Sequence, residues 1–204
     1  MRKLVAAAAQ LKRTSGWADP LFSLAFMTDH ERIPNPDSLL NALPQGTAVI
    51  FRDYNAPDRT SLAQKLCTSA RAKGLLFFVA ADIKIARDVG ADGVHIPGFL
   101  NSAERRLLVK GANMTGHELT FACHSWSDIQ FANEIGVAAA FLSPAFATRS
   151  HPGASSLGAA KFKTLARQAS RPIVALGGVK AHNAWQLSAK NVVGLAAIDA
   201  FVQG

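Results

Sequence analysis

The residues able to do chemistry cluster late in the chain and fall in a fixed order. Phe141-Leu-Ser-Pro-Ala-Phe-Ala-Thr-Arg-Ser-His151 ends an apolar run in hydroxyls, an arginine and an imidazole. Pro172-Ile-Val-Ala-Leu-Gly-Gly-Val179 ends one in paired glycines, and Gly194-Leu-Ala-Ala-Ile198 leads into Asp199. Adjacent Gly177 and Gly178 leave main-chain N–H groups bare, which suits a phosphate seated against the backbone. Ser143, Thr148 and Ser150 offer hydroxyls nearby, although serine and threonine are also ordinary turn residues. Arg52 closes an earlier apolar run. Its guanidinium makes a fork for a carboxylate or phosphate, or equally for a salt bridge to Asp53 or Asp199. His124 follows the run Leu119–Ala122, where an imidazole titrating near neutral pH suits proton transfer and can as well cap the next helix. His95 reads as lining a strand, and His30, His117 and His182 as surface residues. No pair or trio of His, Cys and carboxylates has metal-ligand spacing.

Positioning such residues on one rim requires strands that all end there. Near-continuous apolar runs, as in strands buried on both faces, place strands at Leu21–Met27, Thr47–Arg52, Leu75–Ala80, Gly93–Ile96, Leu119–Ala122, Ala139–Leu142, Pro172–Leu176 and Gly194–Ala197. Between them, helical patterns cover Asp58–Ala72, Ile83–Val89, Ser102–Lys110, Ser127–Ile135, Gly158–Gln168 and Ala181–Ala189, with Asp58 and Ser127 as N-caps and Gly74, Gly90 and Gly136 as stops. Eight strands with intervening helices predict a single α/β domain, a closed (β/α)8 TIM barrel over residues 21–204, rather than an open doubly wound sheet. Leu4, Val5, Ala8 and Leu11 share one helical face, so residues 1–20 read as an amphipathic helix and linker. Only Asp199–Gly204 follow the last strand, which leaves a shortened eighth helix. The N-terminal helix is expected in its place or across the barrel floor. The three tryptophans, Trp17, Trp126 and Trp185, are expected to pack.

The 204 residues suit one domain with a sizeable core, and 49% hydrophobic with 18% charged residues is a globular composition. Lys and Arg number 22 against 14 Asp and Glu, a net charge of +8. The basic residues are scattered and carry no aromatic-interleaved stripe, so a small anionic partner is expected rather than nucleic acid. No run is long enough to span a membrane. The apolar run Leu4–Ala9 is short for a signal peptide, an export signal being the alternative. Cys67 and Cys123 lie on separate elements, which reads as a reducing, cytoplasmic setting.

With its strands placed, the sequence resembles the thiamine phosphate synthase family and its TenI-type thiazole tautomerase branch over nearly the whole chain after residue 20. Leu24–Asp29 is similar to the family's opening L-I-T-D strand, Ala91-Asp-Gly-Val-His-Ile96 to A-D-G-V-H-L, Ser143–His151 to G-P-V-F-x-T-x-T-K, and Ala175-Leu-Gly-Gly-Val179 with Asn183 to A-I-G-G-I…N. The resemblance implies a phosphate-binding barrel of thiamine biosynthesis, the synthase joining a pyrimidine pyrophosphate to a thiazole phosphate with Mg2+. Departures from the pattern concentrate on that chemistry. The metal-carboxylate positions read Ala80, Ala81 and Leu100, with Asp82 one residue beyond the Ala80-Ala81 pair. R-x-K becomes Arg52-Asp53-Tyr54, the T-x-T-K lysine becomes His151, leaving Arg149 to supply charge, and the fifth-strand serine becomes Ala122. A phosphate-facing serine becomes Asp199, whose carboxylate would repel a phosphate.

What the resemblance then implies is a TenI-like barrel with no cofactor. His124 would be its acid–base group, and Arg52, Tyr54, Ser143, Thr148, Ser150, His151, Gly177, Gly178 and Asp199 would line the site for a thiazole-phosphate-like anion. The alternatives are a diverged synthase, which alone would need Mg2+ on Asp82 or a partner's group, and a non-catalytic binding or regulatory barrel. Assembly is left open, a homodimer included.

Overall fold

The computed structural model describes residues 1–148, 155–198 and 201. Eight strands pair in parallel in chain order and β8 returns to β1, closing the barrel. They are β1 Leu24–Met27, β2 Ala48–Phe51, β3 Leu76–Ala80, β4 Gly93–Ile96, β5 Glu118–Cys123, β6 Ala139–Leu142, β7 Ile173–Ala175 and β8 Val192–Ala197. The described helices are α1 Arg2–Ser15, α2 Asp37–Leu40, α3 Arg59–Ala72, α4 Ile83–Val89, α5 Ser102–Thr115, α6 Trp126–Ile135 and α7 Gly158–Arg167, with a 3-10 turn at Ala184–Leu187. Among the described residues no helix is long and apolar enough to cross a membrane.

Every residue of β1, β2, β4, β6 and β8 is buried, because the two sides of each strand meet different cores. Ala25, Met27, Ala48, Ile50, Phe78, Phe141 and Val174 fill the interior. Their neighbours Phe26, Val49, Phe51, Phe77, Val94 and Phe121 point out under the helices. Large and small residues alternate inside: the Phe78 ring occupies the space a Cβ on Gly93 would need. The first strand starts at Leu24, not Leu21. Leu21 is exposed, and Phe22 turns its ring under the barrel against Phe78 at 5.8 Å and Phe141 at 6.0 Å, closing the floor.

His95 lies in this interior, 2% exposed, its Nδ1 3.0 Å from the Thr120 hydroxyl and its ring edge-on to Phe141. Burial, with Arg52 above it, lowers its pKa to about 3, so it is a neutral lining residue.

α1 buries Leu4, Ala7, Ala8, Leu11 and Ser15, with Val5 at the margin. It packs along β8 and the 3-10 turn, in the place a helix after β8 would fill, not across the floor. Apart from Phe201, edge-on to Phe26, the segment after Ile198 lies outside the described residues. Asn191 fastens this seam. Its φ is +71°, its N–H donates to the Ser15 carbonyl, and its side chain donates to Ala166 and Ala169 carbonyls while accepting from the Trp17 indole.

Two expected helix limits move for local reasons. The cap of α6 is Ser125, not Ser127, because extended Ser125 accepts from the Asp128 N–H while Asp128 reaches back to the Ser125 N–H. The expected helix Ala181–Ala189 shrinks to the 3-10 turn, since the Asn183 side chain binds the Lys180 N–H and the Gly178 carbonyl and holds the chain in a loop. Trp126 and Trp185 do not pack inward; they are exposed beside the starts of α6 and the 3-10 turn, and only Trp17 is half-buried.

Leu11 is fully buried in the α1–β8 seam, so Leu11→Ala should cost about 2–5 kcal/mol in urea unfolding. For His95 the folded pKa lies below its ordinary 6.5, so the unfolded chain takes up the proton first as pH falls. Stability should be complete above that value and decline toward pH 3 by up to about 1.4 kcal/mol per pH unit. His95→Gln should flatten the slope over that window.

Candidate functional site

The C-terminal ends of the strands form one rim, and the helices that follow β2 to β5 are each capped there by a side chain: Asp58, Asp82, Asn101 and Ser125. Caps and strand ends therefore bring polar groups to the same face.

Three successive loops build one side of the mouth. His124, at the end of β5, points Nδ1 at the Ser143 carbonyl oxygen, 3.0 Å away. A carbonyl only accepts, so Nδ1 carries the hydrogen, and in the neutral ring Nε2 is left with its lone pair. Below the ring lies Gly98, where a Cβ would stand 2.7 Å from Nε2. The backbone of His124 is held by Asp128: Oδ2 accepts from the N–H groups of His124 and Ser125 and from the Ser125 hydroxyl, and Oδ1 is 3.3 Å from Arg105. Burial pushes the Asp128 carboxyl up, but these donors outweigh it and hold its pKa below the usual value. Arg105 also donates to the Gly98 and Leu100 carbonyls and lies over Phe121, so one guanidinium ties the β4 loop to the β5 loop.

Ser143 is buried and its hydroxyl lies 3.3 Å from His124 Nδ1. Beyond it, Ala145 donates to Leu176 and Phe146 to Gly177, drawing the β6 and β7 loops together. Gly177 and Gly178 have φ of +88° and +65°; a Cβ on Gly177 would sit 2.9 Å from Pro144 Cα, and one on Gly178 would strike the Ala147 carbonyl. Loop contact is thus a reason for both glycines independent of any ligand. Both are partly exposed, and among the described residues none accepts from either N–H. Thr148 is half-buried at the edge of this loop and has an interaction of its own. Arg149, Ser150, His151 and Asp199 lie outside the described residues.

The opposite side is made by the loops after β1 to β4. Arg52 sits over the interior, its Nε donating to the Thr28 carbonyl and its Nη2 3.9 Å from Asp29. Asp53 is not seen paired with it: Oδ2 accepts from the Thr28 hydroxyl and Oδ1 from the His30 N–H, stapling the first two loops. Tyr54 meets Phe99 edge-on at 5.4 Å, and burial raises the Tyr54 phenol above its ordinary range against the pull of Arg52 and Arg59.

Arg59 was not singled out by sequence pattern. Its guanidinium lies between the Phe51 and Tyr54 rings, donates to the Ala80 carbonyl at 2.6 Å and faces Asp82 at 3.6 Å. Only its position at the first turn of α3, directly after the Asp58 cap, hinted that it would reach the rim.

These residues do not fit a divalent cation. Ala80 and Ala81 carry no donor side chain, and Leu100 packs on the core. Asp82 is committed, one oxygen capping α4 at the Ile85 N–H and the other facing Arg59. Among the described residues no group of three or more His, Cys, Asp or Glu is placed to hold a metal. Both cysteines are buried, which pushes their thiols up and away from thiolate chemistry.

A family model described as thiamine monophosphate synthase matches residues 24–201. The chain is 28% identical over 178 residues to a thiamine-phosphate synthase of Pediococcus pentosaceus, covering 84% of this chain and 81% of that one. It is 28% identical over 172 residues to a putative thiamine-phosphate synthase 2 of Aquifex aeolicus, covering 82% and 89%. The fold is similar to that of a thiamine phosphate pyrophosphorylase from Pyrococcus furiosus, with a TM-score of 0.74 at 24% identity over 89% of this chain and 87% of that one.

The glycine contacts separate backbone strain from collision. Gly116 has a φ of +69° with nothing near its Cβ position, whereas Gly178 has a similar φ and a blocked one. Gly116→Ala should cost about 1–2 kcal/mol in urea unfolding, and Gly178→Ala clearly more, with the mouth loops displaced.

Proposed function

This chain belongs to the thiamine monophosphate synthase family, and from that membership we propose that its mouth binds a small anionic, thiazole-phosphate-like ligand on which His124 moves a proton without a metal. The observation that carries this reading is the fixed tautomer of His124: with Nδ1–H bonded to the Ser143 carbonyl, Nε2 is an acceptor at the rim. The Gly177 and Gly178 N–H groups supply donors for a phosphate, and the loosely paired Arg52 a fork for a single carboxylate. In an isomerisation, Nε2 takes a proton from one ligand atom as base and returns it to another as acid, so no co-reactant is needed. Ser143 and Thr148 line the path between the anion end and the imidazole; Ser150, His151 and Asp199 belong to the same reading by sequence position.

A synthase reading is favoured by the names of the relatives, which are thiamine-phosphate synthases. It would need a cation held by groups other than Ala80, Ala81 and Leu100. Condensation of a pyrimidine pyrophosphate with a thiazole phosphate that requires Mg2+ and stops on chelation would establish it. A barrel that only binds would show thermal stabilisation by the azole phosphate and no turnover.

His124→Ala should reduce tautomerisation of a thiazole carboxylate phosphate by about 10²-fold or more in kcat, with the chain still folded, since the residue is exposed and gives up one hydrogen bond to Ser143. His124→Ala turning over at the wild-type rate would exclude the role.

A further inference from the structure

Along the chain the basic residues are scattered, but around the barrel they are gathered. Residues 1–18 hold four Lys and Arg and residues 135–198 hold seven, with no Asp or Glu in either stretch. Asp19, Glu134 and Asp199 mark their limits. Closure joins the two stretches into one wall, because α1 stands where a helix after β8 would. The 3-10 turn lies between α1 and α7 and touches both. Asn191 donates to the Ser15 carbonyl on one side and to the Ala166 and Ala169 carbonyls on the other, so both helices end beside it. Arg13, Arg167 and Lys190, all exposed, converge at that end, and exposed Arg2, Lys3 and Lys161 lie toward the other.

Pairing and helix stability do not account for this charge. Elsewhere Arg32, Arg52, Arg59, Lys65, Arg87 and Arg105 each meet a carboxylate, whereas among the described residues no cation of the wall does. Lys12, Arg13 and Arg167 stand in last turns, where the helix dipole favours a cation. Arg2, Lys3 and Lys161 stand toward the N-terminal ends, where it does not. The helices α2, α5 and α6 have Asp37, Glu104 and Asp128 in their first turns, and α3 and α4 have Asp58 and Asp82 as caps. Among the described helices only α1 and α7 lack a carboxylate there.

Such a wall attracts a polyanion, and its composition selects among polyanions. A protein partner is met by an apolar centre, and a bilayer by an apolar face set into lipid. Here the apolar stripe of α1 is buried in the seam with β8, and of the large apolar side chains exposed among the described residues only Trp185 lies on the wall. Contacts with nucleic acid are more polar and more positive than contacts between proteins. Trp185 is 61% exposed, and its indole N–H donates to the His182 carbonyl, which holds the ring and leaves a face to stack a base. The 14 residues of α1 run for about 21 Å, enough to lie beside several phosphates of a strand.

We propose that the wall formed by α1, the 3-10 turn and α7 binds single-stranded nucleic acid through its phosphates, with a base on Trp185 and without reading sequence. The wall lies outside the mouth, so this binding is independent of proton transfer by His124.

The test is fluorescence anisotropy of the full chain with labelled oligo-dT and oligo-U of about 20 nucleotides, longer than the roughly 4–16 that a single-strand site covers. Binding of either supports the proposal, and the tighter of the two separates a DNA from an RNA source. Affinity should fall between about 50 and 200 mM salt, with a logarithmic slope of about −0.7 per phosphate neutralised. Arg13→Gln, Arg167→Gln and Lys190→Gln together should weaken binding by about tenfold or more at the lower salt and make the slope shallower by about 2. Lys3→Gln with Lys161→Gln, at the other end of the wall, should act in the same direction and carries the test if the triple variant does not fold. Trp185→Ala should weaken binding about fivefold or more. Lys84→Gln, Arg106→Gln and Lys110→Gln remove the same charge from exposed positions on α4 and α5 and should leave the affinity within about twofold of wild type. Equal loss in the two triple variants would reduce the effect to net charge and overturn the proposal. So would absence of binding to both oligonucleotides, unchanged affinity in Trp185→Ala, a duplex bound more tightly than its single strand, or binding confined to vesicles of phosphatidylcholine and phosphatidylglycerol.

Discussion

A parallel sheet closed on itself has no face turned to water. Each strand here is covered inside by its partners across the barrel and outside by helices, so a polar side chain in mid-strand must find a partner within the core or lose its charge. His95 shows the cost: it survives inside the barrel only as a neutral imidazole beside the Thr120 hydroxyl. Reactive groups are thereby driven to the ends of the strands. At the C-terminal ends they meet helix N-termini, whose unpaired N–H groups need acceptors. Asp82 and Asp128 are both such acceptors, and each joins its cap to an arginine, Arg59 or Arg105. The chemistry of the mouth is built on the solutions to a capping problem.

The loops are not independent arms on a scaffold. Arg105 links the β4 loop to Asp128, Asp128 holds the His124 backbone, the His124 ring donates to Ser143, and the residues after Ser143 bond to the loop of Gly177. A displacement at one end of this series is felt at the other, because every link but the Arg105–Asp128 ion pair is a hydrogen bond to backbone, and backbone cannot yield without moving its neighbours. The glycines belong to the same logic. Gly98 makes room for the imidazole, and Gly177 and Gly178 make room for the Pro144–Ala147 backbone, so their small size is already required before a ligand arrives.

The two halves of the mouth have diverged in character. The half made by the loops after β5, β6 and β7 keeps hydroxyls, an imidazole bonded through Nδ1 and, among the described residues, N–H groups at Gly177 and Gly178 with no acceptor. The half made by the loops after β1 to β4 has the Arg52–Asp29 and Arg59–Asp82 ion pairs and the exposed rings of Tyr54 and Phe99. Family membership extends over both, yet the side chains a divalent cation would need are absent from the positions where the family resemblance puts them. A shared barrel constrains where a site lies far more than what it binds, since backbone geometry sets the rim and loop side chains set its chemistry.

The sequence by itself determined the order and closure of the barrel. Apolar runs of four to seven residues, set between helical patterns, can be buried only as parallel strands wrapped by helices. It determined the cap at Asp58 and the stops at Gly90 and Gly136 too, since these residues act on backbone groups within a few residues of themselves. It located the segments of the site, because strand ends are local. What only the tertiary structure decided were pairings between residues far apart in the chain. That Asp53 bonds Thr28 and His30 and not Arg52, that Arg59 reaches Ala80, that Asn191 joins α1, α7 and Trp17, and that Gly98 lies under His124 all depend on distances set by closure. The expected cap at Ser127 failed for a smaller reason of the same kind: the hydroxyl two residues earlier already had the reciprocal carboxylate, and a pattern of residue types does not choose between two such close serines until the backbone has turned.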